Sequence, residues 1–390
     1  MSMSFTLTEE QQAICDEVAK VCAPFDDDYW LEHDKSAEFP FDFHRAIADG
    51  GWLGIAMPEE YGGANLGICE AALMMHTVAN SSGAMSAASA IHINIFGPHA
   101  IVVFANDDQK QRWLPGLIRG DIRSCFGVTE PDAGLNTTSI KTRADRTADG
   151  YLINGKKVWI STAQESDKIM LLTRTTPKEE CERPTDGMTL FFTDLDRDYC
   201  QVRTIPKMGR ASVDSCEVFI DNLPVKAEDR IGEEGKAFQY ILHSLNPERI
   251  LIAAEAIGIG RNALARASKY AKERVVFDRP IGQNQAIQHP LAQSWMELEA
   301  AWLMTMKAAS LYDRGEQCGI EANAAKYLAG EAGFHACTRA VMTHGGMGYA
   351  KEFHVERLMR EILIARLAPV SPQLILCNIA EKALGLPKSY

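Results

Sequence analysis

The 390-residue chain changes its periodicity twice, and this constrains the fold more than any other feature. Residues 1–122 carry helical patterns interrupted by turn signals. Thr8-Glu9-Glu10 reads as a helix start, with a threonine cap and two acids in the first turn. Phe43 to Ala48 belongs to a second helix, Met57-Pro58-Glu59-Glu60-Tyr61-Gly62-Gly63 is a break, and an apolar helix runs from Ile68 to Ala79. Ala84 to Val103 is apolar and rich in small residues, which suits either the wall of a ligand pocket or tight helix packing. Residues 123–232 read as strands. Asp149-Gly150 and Asn154-Gly155 are hairpin-type turn signals, and further strands are expected at Lys168 to Thr173, Thr189 to Phe192 and Glu217 to Ile220. Close spacing without intervening helices predicts an antiparallel sheet or small barrel. From 233 to 390 the helical period returns, with helices expected near 236–245, 248–273, 286–314, 321–344, 351–367 and 372–384. The fold class is α+β: helices, then an antiparallel sheet or small barrel, then a bundle of long antiparallel helices.

Composition narrows the function. The formal net charge of −12 argues against a nucleic-acid partner, although a few local cations or backbone N–H groups suffice to hold an anionic ligand. No apolar run approaches the ~18 residues of a membrane span. The opening MSMSFTLTEEQQ lacks the basic flank and apolar core of a signal peptide, which points to a cytoplasmic protein. Ten cysteines, scattered from Cys15 to Cys377 without a C-x-x-C pair, read as free thiols. The histidines form no H-E-x-x-H or similar cluster, so no metal site is expected.

One motif invites a different reading. Gly258-Ile259-Gly260-Arg261-Asn262-Ala263 fits the dinucleotide fingerprint, and Val275-Val276-Phe277-Asp278 resembles a second strand ending in an acid. Against a nicotinamide-dinucleotide Rossmann enzyme stand Ala253, Ala254 and Ala256, which favour helix, and Glu255, which interrupts a would-be buried strand. No further strand–helix alternation follows.

Five ordered motifs carry a family resemblance across essentially the whole chain. Thr129-Glu130-Pro131-Asp132-Ala133-Gly134 resembles the T-E-P-x-A-G signature of acyl-CoA dehydrogenases. Asn154 to Ser161 is similar to the family's N-G-x-K-x-W-I-[ST], and Glu273 to Phe277 with Gln285 to Gln288 to its E-R-x-x-F and Q-x-I-Q. Gly345-Gly346-Met347-Gly348-Tyr349 resembles its G-G-x-G-[FY] turn, and Arg360-Glu361 its R-D-type helix. The resemblance implies a helical N-terminal domain, a middle antiparallel β-barrel and a C-terminal four-helix-type bundle, with FAD, a homotetramer built as a dimer of dimers, an acyl-CoA substrate and an electron-transferring flavoprotein as acceptor. It implies that Phe126, Val128, Thr129, Gly134, Leu135, Trp159 and Ser161 lie against the flavin. Arg274, Phe277, Gln285, Gly345 and Gly346 would hold the adenine and pyrophosphate of a neighbouring subunit's cofactor, and Ser371 and Gln373 would return to the cofactor near the C-terminus. Leu135, Asn246 and Arg249 would reach the substrate. Taken alone, the residues favour barrel core for Trp159 and a solvated helix position for Arg274.

The implied reaction is α,β-dehydrogenation to the trans-2-enoyl thioester, which needs a carboxylate base. Most family members place a Glu before a G-T-S-x segment, but Pro369 stands there in Ala368-Pro369-Val370-Ser371. A branch that includes isovaleryl- and long-chain-type enzymes carries the Glu on an earlier helix, where this chain has Asn246-Pro247-Glu248-Arg249. Glu248 is therefore the expected base. The local pattern also has a purely structural reading: Asn246 as N-cap, Pro247 as first helical residue and Glu248 as a first-turn acid favoured by the dipole. Leu135-Asn136 replaces the family's Ser-Asp. A flavin monooxygenase, oxidase or reductase of the same superfamily is the alternative chemistry on the same fold.

Overall fold

The computed structural model describes residues 6–389. Residues 1–5, part of the stretch read for a signal peptide, lie outside them. The N-terminal region is helical: α1 (Glu9–Cys22), α2 (Asp27–Ser36), α3 (Phe41–Asp49), α4 (Ile68–Asn80), α5 (Ala84–Phe96), α6 (His99–Phe104) and α7 (Asp107–Ile118). α1 begins where the Gln11 N–H donates to Thr8 Oγ1 at 3.1 Å and the Thr8 N–H donates to Gln11 Oε1 at 3.2 Å, a reciprocal cap. The small residues of Ala84 to Val103 serve both expected purposes. Ala84, Ala87 and Ala88 are fully buried in the helical core, while other residues of α5 line a cavity.

The middle region holds β1 (Ser124–Gly127), β2 (Arg143–Arg146), β3 (Gly150–Ser161), β4 (Lys168–Arg174), β5 (Met188–Asp194), β6 (Cys200–Thr204), β7 (Ser215–Lys226) and β8 (Arg230–Ile231). They form one sheet in the order β6-β7-β3-β2-β4-β5-β8, with β1 beside β4. Two pairings depart from the antiparallel expectation: β1 and β2 both run parallel to β4. β4 and β5 are buried on both faces. Ile169, Leu171 and Phe191 enter the core of the sheet, while Met170, Leu172, Leu190 and Phe192 pack with Trp113 and Leu117 of α7. Asn154-Gly155 is not a turn. β3 runs through it with a register irregularity, and a Cβ on Gly155 would sit 2.4 Å from Thr142 Oγ1, so the glycine permits a close chain approach.

The C-terminal region contains α8 (Ala237–Glu273), a short hairpin of β9 (Val275–Val276) and β10 (Arg279–Pro280), then α9 (Gln285–Asp313), α10 (Gly319–His344), α11 (Val355–Leu367) and α12 (Pro372–Lys382). α8 packs on α4, α5, α9, α10 and α11 and is the axis of the molecule. It corrects the expected helix boundary at Asn246. The helix continues through a buried Pro247, so Asn246 is no cap and Glu248 lies about three turns from the helix start. Packing on every side outweighs the lost N–H of the proline.

The Rossmann reading is also overturned, because Gly258 and Gly260 lie mid-helix. A Cβ on Gly258 would meet the His76 carbonyl oxygen at 2.5 Å, and one on Gly260 would meet Gly333 Cα at 3.1 Å. The glycines bring helices together. Two stretches correct the expectation of no long apolar run: Ala84–Phe104 and Val355–Lys382 are long and apolar enough to cross a membrane by composition. The first is interrupted at Gly97-Pro98 and is largely buried, and the second at the Ala368-Pro369-Val370-Ser371 turn.

Candidate active site

The helical and strand regions meet around a cavity of about 820 Å³. Its strand-side wall is set by a buried ion pair. Lys157, fully buried on β3, places Nζ 2.9 Å from Glu130 Oε1 and 3.1 Å from the Val128 carbonyl oxygen. The Glu130 carboxylate also accepts the N–H groups of Lys141 at 2.6 Å and Thr142 at 3.0 Å. The Val158 N–H donates to the Thr129 carbonyl at 2.9 Å. These bonds pin the loop after β1 against the end of β3.

The β3–β7 register breaks between Lys157 and Ile160. There Trp159 takes φ 62° and leaves 58% of its surface exposed. A bulky residue in the left-handed region, facing open space, is not barrel core. Trp159 shares this wall with Phe126, Val128, Thr129, Gly134, Leu135 and Ser161, which the structure brings together as expected. A Cβ on Gly134 would meet nothing within 4 Å, so its backbone stands open to a ligand. An exposed indole, two hydroxyls and an open backbone on the wall of a large cavity suit a planar, hydrogen-bonding ring such as a flavin.

The helical wall carries the titratable groups. Glu248 faces the cavity, yet its Oε2 is buried without a hydrogen-bond partner. Burial pushes its carboxyl up to about 7, against the opposing pull of His92 and Arg249 and with a smaller upward push from Glu255. With Glu248 in the middle of α8, the helix dipole no longer opposes this rise. Arg249 donates to Asn323 Oδ1 at 3.0 Å, and Asn323 donates to Asn378 Oδ1 at 2.9 Å; all three line the cavity. Ala368, Pro369 and Val370 form part of the rim, with a cis bond before Pro369. Lys326 Nζ holds this turn by donating to the carbonyls of Arg366 at 2.9 Å and Val370 at 2.7 Å.

Other expected residues lie elsewhere. Asn246, Ser371 and Gln373 do not reach the cavity. Asn246 is inside α8, Ser371 caps α12 by accepting from the Leu374 N–H at 3.3 Å, and Gln373 is exposed. Arg274, Phe277, Gln285, Gly345 and Gly346 are all exposed on the surface, outside the cavity. Tyr270 near the end of α8 stacks on His344 at the end of α10 (4.2 Å between ring centroids), which brings Arg274 and Gly345 to one end of the bundle. Sequence reasoning missed Ser89, His92, Arg210, Glu255, Asn323 and Lys326. Glu255 did carry a signal: it interrupts an apolar run two helical turns after Glu248, which puts both on one face.

Comparison with known proteins identifies the family. Models of the acyl-CoA dehydrogenase N-terminal, middle and C-terminal domains match residues 8–121, 125–223 and 235–382. The chain belongs to the acyl-CoA dehydrogenase family; it is an oxidoreductase, and FAD is its cofactor. It is 38% identical over 393 residues to acyl-CoA dehydrogenase FadE12 of Mycobacterium tuberculosis, covering 99% of each chain. Among solved structures, glutaryl-CoA dehydrogenase in complex with glutaryl-CoA is similar at TM-score 0.93 and 29% identity, with 99% of this chain and 98% of that one covered. Butyryl-CoA dehydrogenase of Megasphaera elsdenii is similar at TM-score 0.91 and 28% identity, with 96% and 98% covered.

Proposed function

We propose that the protein converts an acyl-CoA to its trans-2-enoyl-CoA with Glu248 as the base. The observation that carries this reading is the Glu248 carboxyl on the cavity wall, with one oxygen lacking any partner and an affinity for protons raised to about 7. Such a group takes up a proton near neutral pH, which an ordinary surface carboxylate does poorly. The Cα–H bond breaks toward Glu248, and its electron pair becomes the new C=C bond as the β-hydrogen departs. FAD, when bound, supplies the acceptor for that hydrogen as hydride. Trp159, with its exposed indole on the cavity wall, would cover the cofactor and exclude water, and the hydroxyls of Thr129 and Ser161 would hydrogen-bond it. Leu245 and Ile252, one helical turn to either side of Glu248, line the same cavity wall. Pro369, at the position where most of the family carries its base, has no carboxylate, which leaves Glu248 to take the α-proton.

The same reading assigns Leu135 and Arg249 to the substrate and an electron-transferring flavoprotein to the electrons. A homotetramer is supported by exposed apolar residues near the ends of α8 and α10: Phe277 and Tyr349 are 93% and 90% exposed. There Arg274, Phe277, Gln285, Gly345 and Gly346 would meet a neighbour's cofactor. We assign the helical domain to residues 1–122, the sheet domain to 123–232 and the bundle to 233–390, and place the enzyme in the cytoplasm. The test is anaerobic bleaching of the bound flavin by a panel of acyl-CoAs. At least one member must bleach it, and Glu248→Gln must slow that bleaching. Bleaching at the native rate in the variant refutes the base assignment.

A further inference from the structure

The cavity holds a second acid–base pair near Glu248. Glu255 follows Glu248 on the same face of α8, about 10 Å further along the axis. It is fully buried, and its Oε1 lies 2.5 Å from Nδ1 of His92 on α5. Glu255 lines the same cavity beside the imidazole. The His92 side chain keeps 12% of its surface open and lines the cavity, as Glu248 does. A carboxylate bonded to an imidazole fixes its orientation and favours its charged form. Consistent with this, Glu255 and Glu248 raise the proton affinity of His92 against the cost of burial and the repulsion of Arg210.

The charged groups facing Glu248 are His92 from α5 and Arg249 and Glu255 from α8 itself. Arg249 donates to the neutral Asn323 and leaves its Nε without a partner, and Arg210 donates to Ser89 Oγ at 3.2 Å beside His92. Glu248 makes no hydrogen bond through Oε2, so burial raises its proton affinity and only the charges of His92 and Arg249 oppose that rise.

We propose that His92, held as an imidazolium by Glu255, is a positioning residue for the reaction: its charge across the cavity keeps Glu248 ionised and ready for the α-proton. The proposal rests on Glu248 being the base. His92 needs no contact with the substrate in this role. It acts through the field at Glu248, whose buried surroundings screen charge less than bulk water does.

The test is the pH profile of anaerobic flavin bleaching at saturating acyl-CoA. His92→Asn keeps a donor for Glu255 but removes the charge. Its acid limb moves up by about one pH unit, so the rate well below the limb falls about tenfold, while the rate well above it stays near that of the wild type. His92→Lys retains a cation and restores the limb. A uniform loss at all pH values, or an unmoved limb, overturns the proposal. Nitrogen NMR of histidine-labelled wild-type enzyme decides the matter independently of any variant: His92 carries protons on both ring nitrogens at the working pH, and a neutral ring there also overturns it. Failure of the underlying reading looks different, since Glu248→Gln would then bleach at the native rate.

Discussion

Lys157 Nζ lies 2.9 Å from Glu130 Oε1, and both side chains are buried beneath the loop that carries Thr129. The pair joins the two cavity-facing segments, the loop after β1 and the end of β3. Lys157→Met leaves a buried carboxylate without its cation. The expected cost is about 3–5 kcal/mol of stability, together with loss of flavin. Denaturant unfolding and the ratio of flavin to protein absorbance measure both. Adding Glu130→Gln recovers part of the stability, because the unpaired charge is removed.

Glu248→Gln is expected to slow flavin bleaching by about 10²–10⁴-fold with unchanged flavin content. In the wild type the rate rises with pH through about 7, because only the carboxylate accepts the α-proton.

The same carboxyl gives stability a pH dependence of known sign. Its folded value of about 7 lies above the ordinary 4.5, so between these values the folded state binds more protons than the unfolded one. Stability therefore falls as pH rises through this window, by about 3 kcal/mol in all. Glu248→Gln lacks this fall, and unfolding curves at about pH 5 and about pH 8 compare the two.

Lys326→Met frees the carbonyls of Arg366 and Val370, which Lys326 holds at 2.9 and 2.7 Å. The expected cost is about 1–3 kcal/mol. Because the turn they stabilise lines the cavity, the KM for acyl-CoA rises more than kcat falls. Steady-state kinetics and denaturant unfolding separate the two effects.

Trp159→Ala changes the stability of the flavin-free protein by no more than about 0.5 kcal/mol, since the indole is exposed. It weakens flavin binding by about tenfold or more, or ~1.4 kcal/mol. Flavin titration against fluorescence tests this.

Gly258→Ala places a methyl 2.5 Å from the His76 carbonyl and 2.9 Å from Ala79 Cβ. Overpacking of α4 against α8 costs about 1–3 kcal/mol. A fall in the unfolding midpoint, with flavin retained, distinguishes this helix contact from a nucleotide-binding turn.

Much of this architecture was legible in the sequence because periodicity is a local property. The Thr8 cap, the strands at Lys168 and Thr189 and the long C-terminal helices all announce themselves within a few residues. The strand-side wall was legible for another reason: Thr129, Gly134, Trp159 and Ser161 sit in contiguous motifs. Boundaries that depend on neighbours were not legible. Pro247 reads locally as a helix start, but α8 is packed on enough sides to run through it. Gly155 reads as a turn, but it is a point of close approach to Thr142.

The sequence by itself determined the order of helix, sheet and helix and the family, and it singled out Glu248 as the candidate base where Pro369 lacks a carboxylate. Only the tertiary structure decided what kind of carboxylate Glu248 is. It moved the residue from a helix end, where the dipole would hold its proton affinity down, to a cavity wall where burial raises it. It also set His92 against Glu255, 163 residues away in the chain, within reach of that charge. Desolvation and field are sums over everything nearby in space, and no window of the sequence contains those terms.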